Sequence, residues 1–99
     1  MINEPDMITI HNNAYNKLQI FKTHLPEESD LSSAVFTLIS EVGERSVELV
    51  CFVTEGRNYW IVDQDEAQDL SALDFTNRLE ITLYGQLIYS EGVTINELQ

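Results

Sequence analysis

Hydrophobic positions along the chain change their spacing twice, and each spacing predicts a different element. Within 13–25, Ala14, Leu18, Phe21 and Leu25 stand four, three and four residues apart, one stripe of an amphipathic helix, with Asn16, Lys17 and Lys22 elsewhere on its surface. His11-Asn12-Asn13 offers short polar side chains to cap its start, and Pro26 ends it. Met7-Ile8-Thr9-Ile10, just before, reads as a short strand. From Ala34 to Val62 the period falls to two and β-branched and aromatic residues become frequent, predicting strands at about 34–42, 47–54 and 58–62. A turn at Glu44-Arg45 sets Val42 opposite Val47, Leu38 opposite Cys51 and Phe36 opposite Val53. A second turn at Gly56-Arg57 sets Val53 opposite Trp60 and Cys51 opposite Val62. One face of this meander then carries Phe36, Leu38, Leu49, Cys51, Val53 and Trp60, which a helix can cover. The other carries Val35, Ile39, Val50, Phe52, Tyr59 and Ile61, too apolar for an antiparallel sheet with one wet side.

Asp63-Gln64-Asp65-Glu66 predicts the start of a second helix over about 64–73, with Asp63 and Glu66 spaced as a capping box and Ala67, Leu70 and Leu73 facing inward. Between 75 and 90, Leu79, Ile81, Leu83, Leu87 and Tyr89 alternate with polar residues as in a hairpin folded at Gly85-Gln86. Leu70, Leu73, Ile81, Tyr84 and Ile88 also satisfy a helical period, so periodicity leaves helix or strand open there. Together these elements predict one α+β domain over 1–99: an antiparallel sheet of four to six strands, its central meander at about 34–62, with helices at about 13–25 and 64–73.

Composition adds constraints. At 99 residues, 43% hydrophobic and 22% charged, the chain can bury about two thirds of its surface and lies outside the composition of disordered chains. Seventeen acids against five bases give a formal charge of −12, which excludes direct contact with a phosphate backbone and favours a basic partner. Residues 23–44 hold Glu27, Glu28, Asp30, Glu41 and Glu44 without one Lys or Arg, and 59–99 hold Arg78 as their one base. The single Cys51 excludes an internal disulfide and, with two distant histidines, cannot complete a four-ligand zinc site, which suits a reducing cytoplasm. The acidic N-terminus and the lack of a run of about 18 apolar residues argue against targeting or membrane anchoring.

Candidate chemistry is sparse. Asp63, Asp65, Asp69 and Asp74 fall at positions 1, 3, 7 and 12 of a calcium loop, but Ala67 and Gln68 stand where an oxygen ligand and a glycine are needed. A solvated helix start accounts for them better. Cys51 reads as a core thiol with a raised pKa. His11 and His24, at opposite ends of the predicted first helix and about 20 Å apart, cannot share a metal or a proton. Glu41 and Glu48 form a screened like-charge pair, and the glycines mark turns with no phosphate loop among them. No catalytic residue, metal ligand or cofactor is predicted. Val50, Phe52, Tyr59, Ile61 and Ile39 form the predicted interface, because aromatics give large contact area at low entropic cost. Glu27, Glu28, Asp30, Asp63, Asp65, Glu66 and Asp69 form the predicted acidic surface.

Met7-Ile8-Thr9-Ile10 with Ala14 and Leu18 resembles the opening of the HesB/IscA-type iron–sulfur carrier domain, whose later cysteine ligands have no counterpart here beyond Cys51. The predicted element order is similar to that of small secretion chaperones. The functional expectation is a non-catalytic acidic interaction module of inhibitor, adaptor or chaperone type. It would meet a basic protein surface or form a homodimer through the apolar sheet face, with nucleic-acid mimicry as a special case. The alternative is a small ligand-binding domain or minor enzyme with a pocket between helix and sheet, marked by a concavity holding His11 or His24 beside an acid.

Overall fold

The computed structural model describes residues 8–40, 45–73 and 76–96. These fold as eight strands: β1 (Ile8–His11), β2 (Lys17–Phe21), β3 (Ala34–Ser40), β4 (Ser46–Glu48), β5 (Cys51–Glu55), β6 (Tyr59–Gln64), β7 (Thr76–Leu83) and β8 (Gln86–Asn96). They form two sheets, one of five strands in the order β1-β8-β7-β3-β4 and one of three in the order β2-β6-β5. Every neighbouring pair is antiparallel except β1 with β8. Inward residues alternate along each strand: Leu18 and Ile20, Phe36 and Leu38, Trp60 and Val62, Leu79 and Ile81, Val93 and Ile95 are all buried in one core between the sheets.

With β2 to β8 taken as B, C, C′, D, E, F and G, the pairing is GFCC′ against BED, the strand order of an immunoglobulin-type sandwich, with β1 laid parallel along G. The cysteine pair and core tryptophan of antibody domains are not reproduced. The one cysteine lies on β5 and the one tryptophan on β6, while leucine and isoleucine fill the inward positions of β2 and β7.

This architecture overturns the α+β expectation, since among the described residues the helical content is two three-residue 3-10 turns, Lys22–His24 and Leu31–Ser33. In place of a helix over 13–25 stand the Asn12-Asn13 turn, β2 and the first of those turns. Leu18 and Ile20 both point inward while Phe21, counted on the helical stripe, is 45% exposed. A segment this short satisfies both periods, and pairing with β6 decides for the strand. The helix over 64–73 is absent because Asp63 and Gln64 are the last residues of β6 and the following backbone bonds elsewhere. Asn12 Oδ1 accepts from Leu70 N at 2.6 Å, and Asn13 N donates to Gln68 O at 2.9 Å. The resemblances to the iron–sulfur carrier opening and to secretion chaperones lose the helix on which each rested.

The predicted meander is also two structures. Its middle strand divides at Leu49-Val50, and β4 and β5 join different sheets. Gln68 holds the crossing: its Oε1 accepts from Val50 N at 2.8 Å and its Nε2 donates to Glu48 O at 3.0 Å. Leu38 therefore faces Val47 rather than Cys51, and Val53 faces Val62 rather than Trp60. Residues 41–44, and with them Glu41 and the turn at Glu44, lie outside the described residues, as do Asp74 and Met7. The open segment 75–90 is strand from Thr76, turning at Tyr84-Gly85, where positive φ at both residues (53° and 80°) gives the hairpin turn that matches strand twist. Among the described residues no helix is long and apolar enough to cross a membrane.

Candidate interaction surface

Because β6 buries Trp60, Val62 and Gln64, it presents Tyr59, Ile61 and Asp63 to the outside of the three-stranded sheet. Cross-strand pairing sets Phe52 and Lys17 beside Asp63, Thr54 and Gln19 beside Ile61, and Phe21 beside Tyr59. Phe52 is 53% exposed, Val50 continues its row from the crossing at 42%, and Tyr59 and Ile61 are half-buried. Phe21 meets both Tyr59 and His24 edge-on with ring centroids 6.2 Å apart, the arrangement favoured by the aromatic quadrupole.

The outer face of the five-stranded sheet is different in kind. Thr37, Ser46, Glu48, Thr76, Arg78, Glu80, Thr82, Ser90 and Thr94 dominate it, and Arg78 Nε donates to Ser90 Oγ at 2.8 Å. Ile39 sits there, paired with Ser46 and Arg78, and so do Val35 and Leu87, 40% and 51% exposed on either side of Thr82. The structure thus brings Val50, Phe52, Tyr59 and Ile61 together and puts Ile39 on the opposite side of the sandwich. Phe21, missed because a helix was expected, completes the aromatic row. The parity of Leu18 and Ile20 was the signal that would have found it.

The acidic residues stand at two ends. Glu27, Glu28 and Asp30 lie on the β2–β3 connection, near Lys22 and Glu55, whereas Asp65, Glu66 and Asp69 follow β6 at the other end and Asp63 lies on the outer face. Asp30 accepts from Ser32 Oγ at 2.6 Å and Ser32 N at 3.0 Å, which holds its carboxyl below the ordinary range; Ser71 does the same for Asp69. Cys51 lies half-buried on the inward side of β5, beside Leu18, Leu49 and Val62. Burial first, then the charges of Glu48 and Asp65, push its thiol up to about 11.

Two grooves of similar size open on the surface. The first, of 640 Å³, is lined by Lys22, Leu25, Pro26, Glu27, Glu55 and Trp60 among others. Here Lys22 Nζ bonds Glu55 Oε2 at 2.6 Å and stands 5.9 Å from the Trp60 ring centroid, whose buried Nε1 has no hydrogen-bond partner. The second, of 620 Å³, has Gln19, Phe21 and His24 along one wall and Ile8, Ile88, Tyr89, Ser90 and Glu91 along the other. His24 and Glu91 share this concavity, but no ion pair joins them. Both grooves lie against strands and the 3-10 turn Lys22–His24, and the second holds a histidine beside an acid, the feature expected of the ligand-binding alternative. Among the described residues, no three His, Cys, Asp or Glu side chains converge as a metal site.

No protein-family model matches the chain, and no curated protein matches it significantly. Among solved structures, a chain of the ZIG-8–RIG-5 IG1–IG1 heterodimer, monoclinic form, is similar at 10% identity and a TM-score of 0.41, over 95% of this chain and 84% of that one. So low a score carries no argument, and the sandwich assignment stands on the strand pairing.

Proposed function

We propose that this chain is a non-catalytic interaction domain whose contact surface is the outer face of the three-stranded sheet. Phe52 and Ile61 form its centre, Val50, Tyr59 and Phe21 its extension. One observation carries the reading: this face gathers the aromatic rings of Phe21, Phe52 and Tyr59, whereas the apolar residues of the opposite outer face, Val35, Ile39 and Leu87, are aliphatic and stand among threonines and charges. An antiparallel sheet that meets only water alternates as the five-stranded one does. Around the apolar centre Glu55 is held by Lys22 and Asp63 stands 3.9 Å from Lys17, so it is the net charge of −12 that favours a partner whose apolar surface is ringed by Lys or Arg. Mimicry of a nucleic acid is less well supported, because the carboxylates divide between two ends of the sandwich. A single thiol, with apolar residues at the inward positions of β2 and β7, suits a reducing compartment.

An amphipathic helical peptide of leucine and lysine is a defined probe for this surface. Binding is expected to perturb the side-chain resonances of Phe52, Ile61 and Tyr59 and to weaken as salt is added. Phe52→Ser should weaken it about tenfold, with Thr82→Ser on the other sheet as the silent control. Perturbation centred elsewhere, or an affinity indifferent to both salt and Phe52, refutes the assignment. Sedimentation of the free chain separates a second copy from a foreign partner.

A further inference from the structure

We propose that the open edge of β2, with the groove beside it, accepts an extended acidic segment of a partner protein as an added strand. This goes beyond the outer-face contact, since it uses the backbone of β2 and the gap between the sheets.

Three observations carry it. Asn16 O accepts from Gln64 N at 2.8 Å and Lys22 N donates to Asn58 O at 2.9 Å. In an antiparallel ladder bonded residues alternate, so Leu18 and Ile20 spend their backbone groups on β6, while Lys17, Gln19 and Phe21 turn theirs to the free edge. Among the described residues no strand pairs there. Next, the 620 Å³ groove runs from this edge to Ile8, Ile88 and Tyr89 of the other sheet. Alternate side chains of an incoming strand would point into it.

The third observation is charge. Residues 8–26 contain Lys17, Lys22, His11 and His24 and not one acid, in a chain of net charge −12. Both lysines are ion-paired, Lys22 closely with Glu55 at 2.6 Å and Lys17 loosely with Asp63 at 3.9 Å, and the Lys17 side chain, 69% exposed, can still meet a second carboxylate. A cation on an edge strand discourages uncharged strands from adding and favours an acidic one. Glu91, on the far wall, is the one acid lining the groove among the described residues, so the alternate side chains that enter it are the apolar ones of the added strand. A second copy fits less well. The inward side chains of its own β2, Leu18 and Ile20, are already in its core, so edge-to-edge pairing would leave the groove unfilled.

The test uses the full chain and a capped seven-residue peptide alternating valine with glutamate. Binding is expected to slow amide exchange at Lys17, Gln19 and Phe21, and N-methylation of alternate peptide amides should weaken it about tenfold or more. Gln19→Pro removes one edge N–H without touching the β6 ladder, and should weaken binding comparably in a folded protein. A lysine-for-glutamate peptide should leave those three amides unchanged, wherever else it binds. Equal slowing by both peptides, or indifference to N-methylation, overturns the proposal. It is also overturned if these amides are already protected in the free chain, either in a dimer or until residues 1–6 are removed. Because the readout is these amides and not Phe52 or Ile61, failure here is distinguishable from failure of the outer-face reading.

Discussion

The two sheets bury the same kind of residue and are held together differently. In the five-stranded sheet, eight-residue β7 lies between β3 and eleven-residue β8, so backbone ladders carry the structure. The three-stranded sheet has strands of five, five and six residues, and side chains pin its ends. At one end Asn16 Nδ2 donates to Gln64 Oε1 at 2.7 Å, Gln64 Nε2 donates to Gln68 Oε1 at 3.0 Å, and Gln68 clasps the β4–β5 crossing. At the other, Lys22 spans Glu55 and the Trp60 ring. Short strands leave fewer ladder bonds, and a satisfied amide chain substitutes for them. The rigidity of the smaller sheet, whose outer face is the proposed contact surface, therefore rests on few groups.

The largest effect tests whether both inward faces belong to one core. Leu79→Ala in the larger sheet and Trp60→Ala in the smaller should each cost about 3–5 kcal/mol in denaturant unfolding, as one cooperative transition. Separate transitions would break the single-core description. Next, Gln64→Leu takes from Asn16 N its side-chain acceptor and from Gln68 Oε1 one of its two donors, at a cost of about 1–3 kcal/mol. Amide exchange should rise at Asn16, Leu18 and Val50 while β7 and β8 keep their protection; uniform acceleration would show that the sheets do not differ.

Smaller still, Phe52→Ser and Thr82→Ser should each change stability by less than about 1 kcal/mol, since both positions face outward. A large loss at Phe52 would mean that its ring is structural. The remaining effect is confined to alkaline pH. The folded Cys51 thiol ionises at about 11 against an unfolded value of 9.0, so the folded state resists losing the proton. Stability from this group is intact below pH 9.0 and declines as pH rises toward 11. Cys51→Ala should flatten that decline relative to the parent chain when unfolding is followed across the same range.

Side-chain parity was legible without coordinates. Phe36 with Leu38, Trp60 with Val62, and Leu79 with Ile81 share a face as the alternation implies, and Phe52, Tyr59 and Ile61 lie opposite, because direction in a strand is set by local backbone geometry; Leu87, in the same row as Leu79 and Ile81, faces outward with Thr82 because the register shifts after Ile81. The segment over 13–25 failed because two periods fit the same few residues, and the segment over 64–73 because a plausible cap was already engaged in a strand. Ile39 was grouped with Phe52 because sequence proximity implied a shared sheet.

What the amino-acid order determined by itself is therefore the alternation, the acidity, and the cation-bearing, acid-free stretch around β2. Which sheet each strand joins, and at which register, was decided by the tertiary structure. Leu38 opposite Val47 or opposite Cys51, four positions on, preserves the same inward face, so hydrophobic pattern cannot choose between them. Distant groups make the choice: Gln68 bonds the backbone on both sides of the β4–β5 crossing and sends the chain to the second sheet, so an apparent single sheet with two greasy faces becomes two sheets around one core.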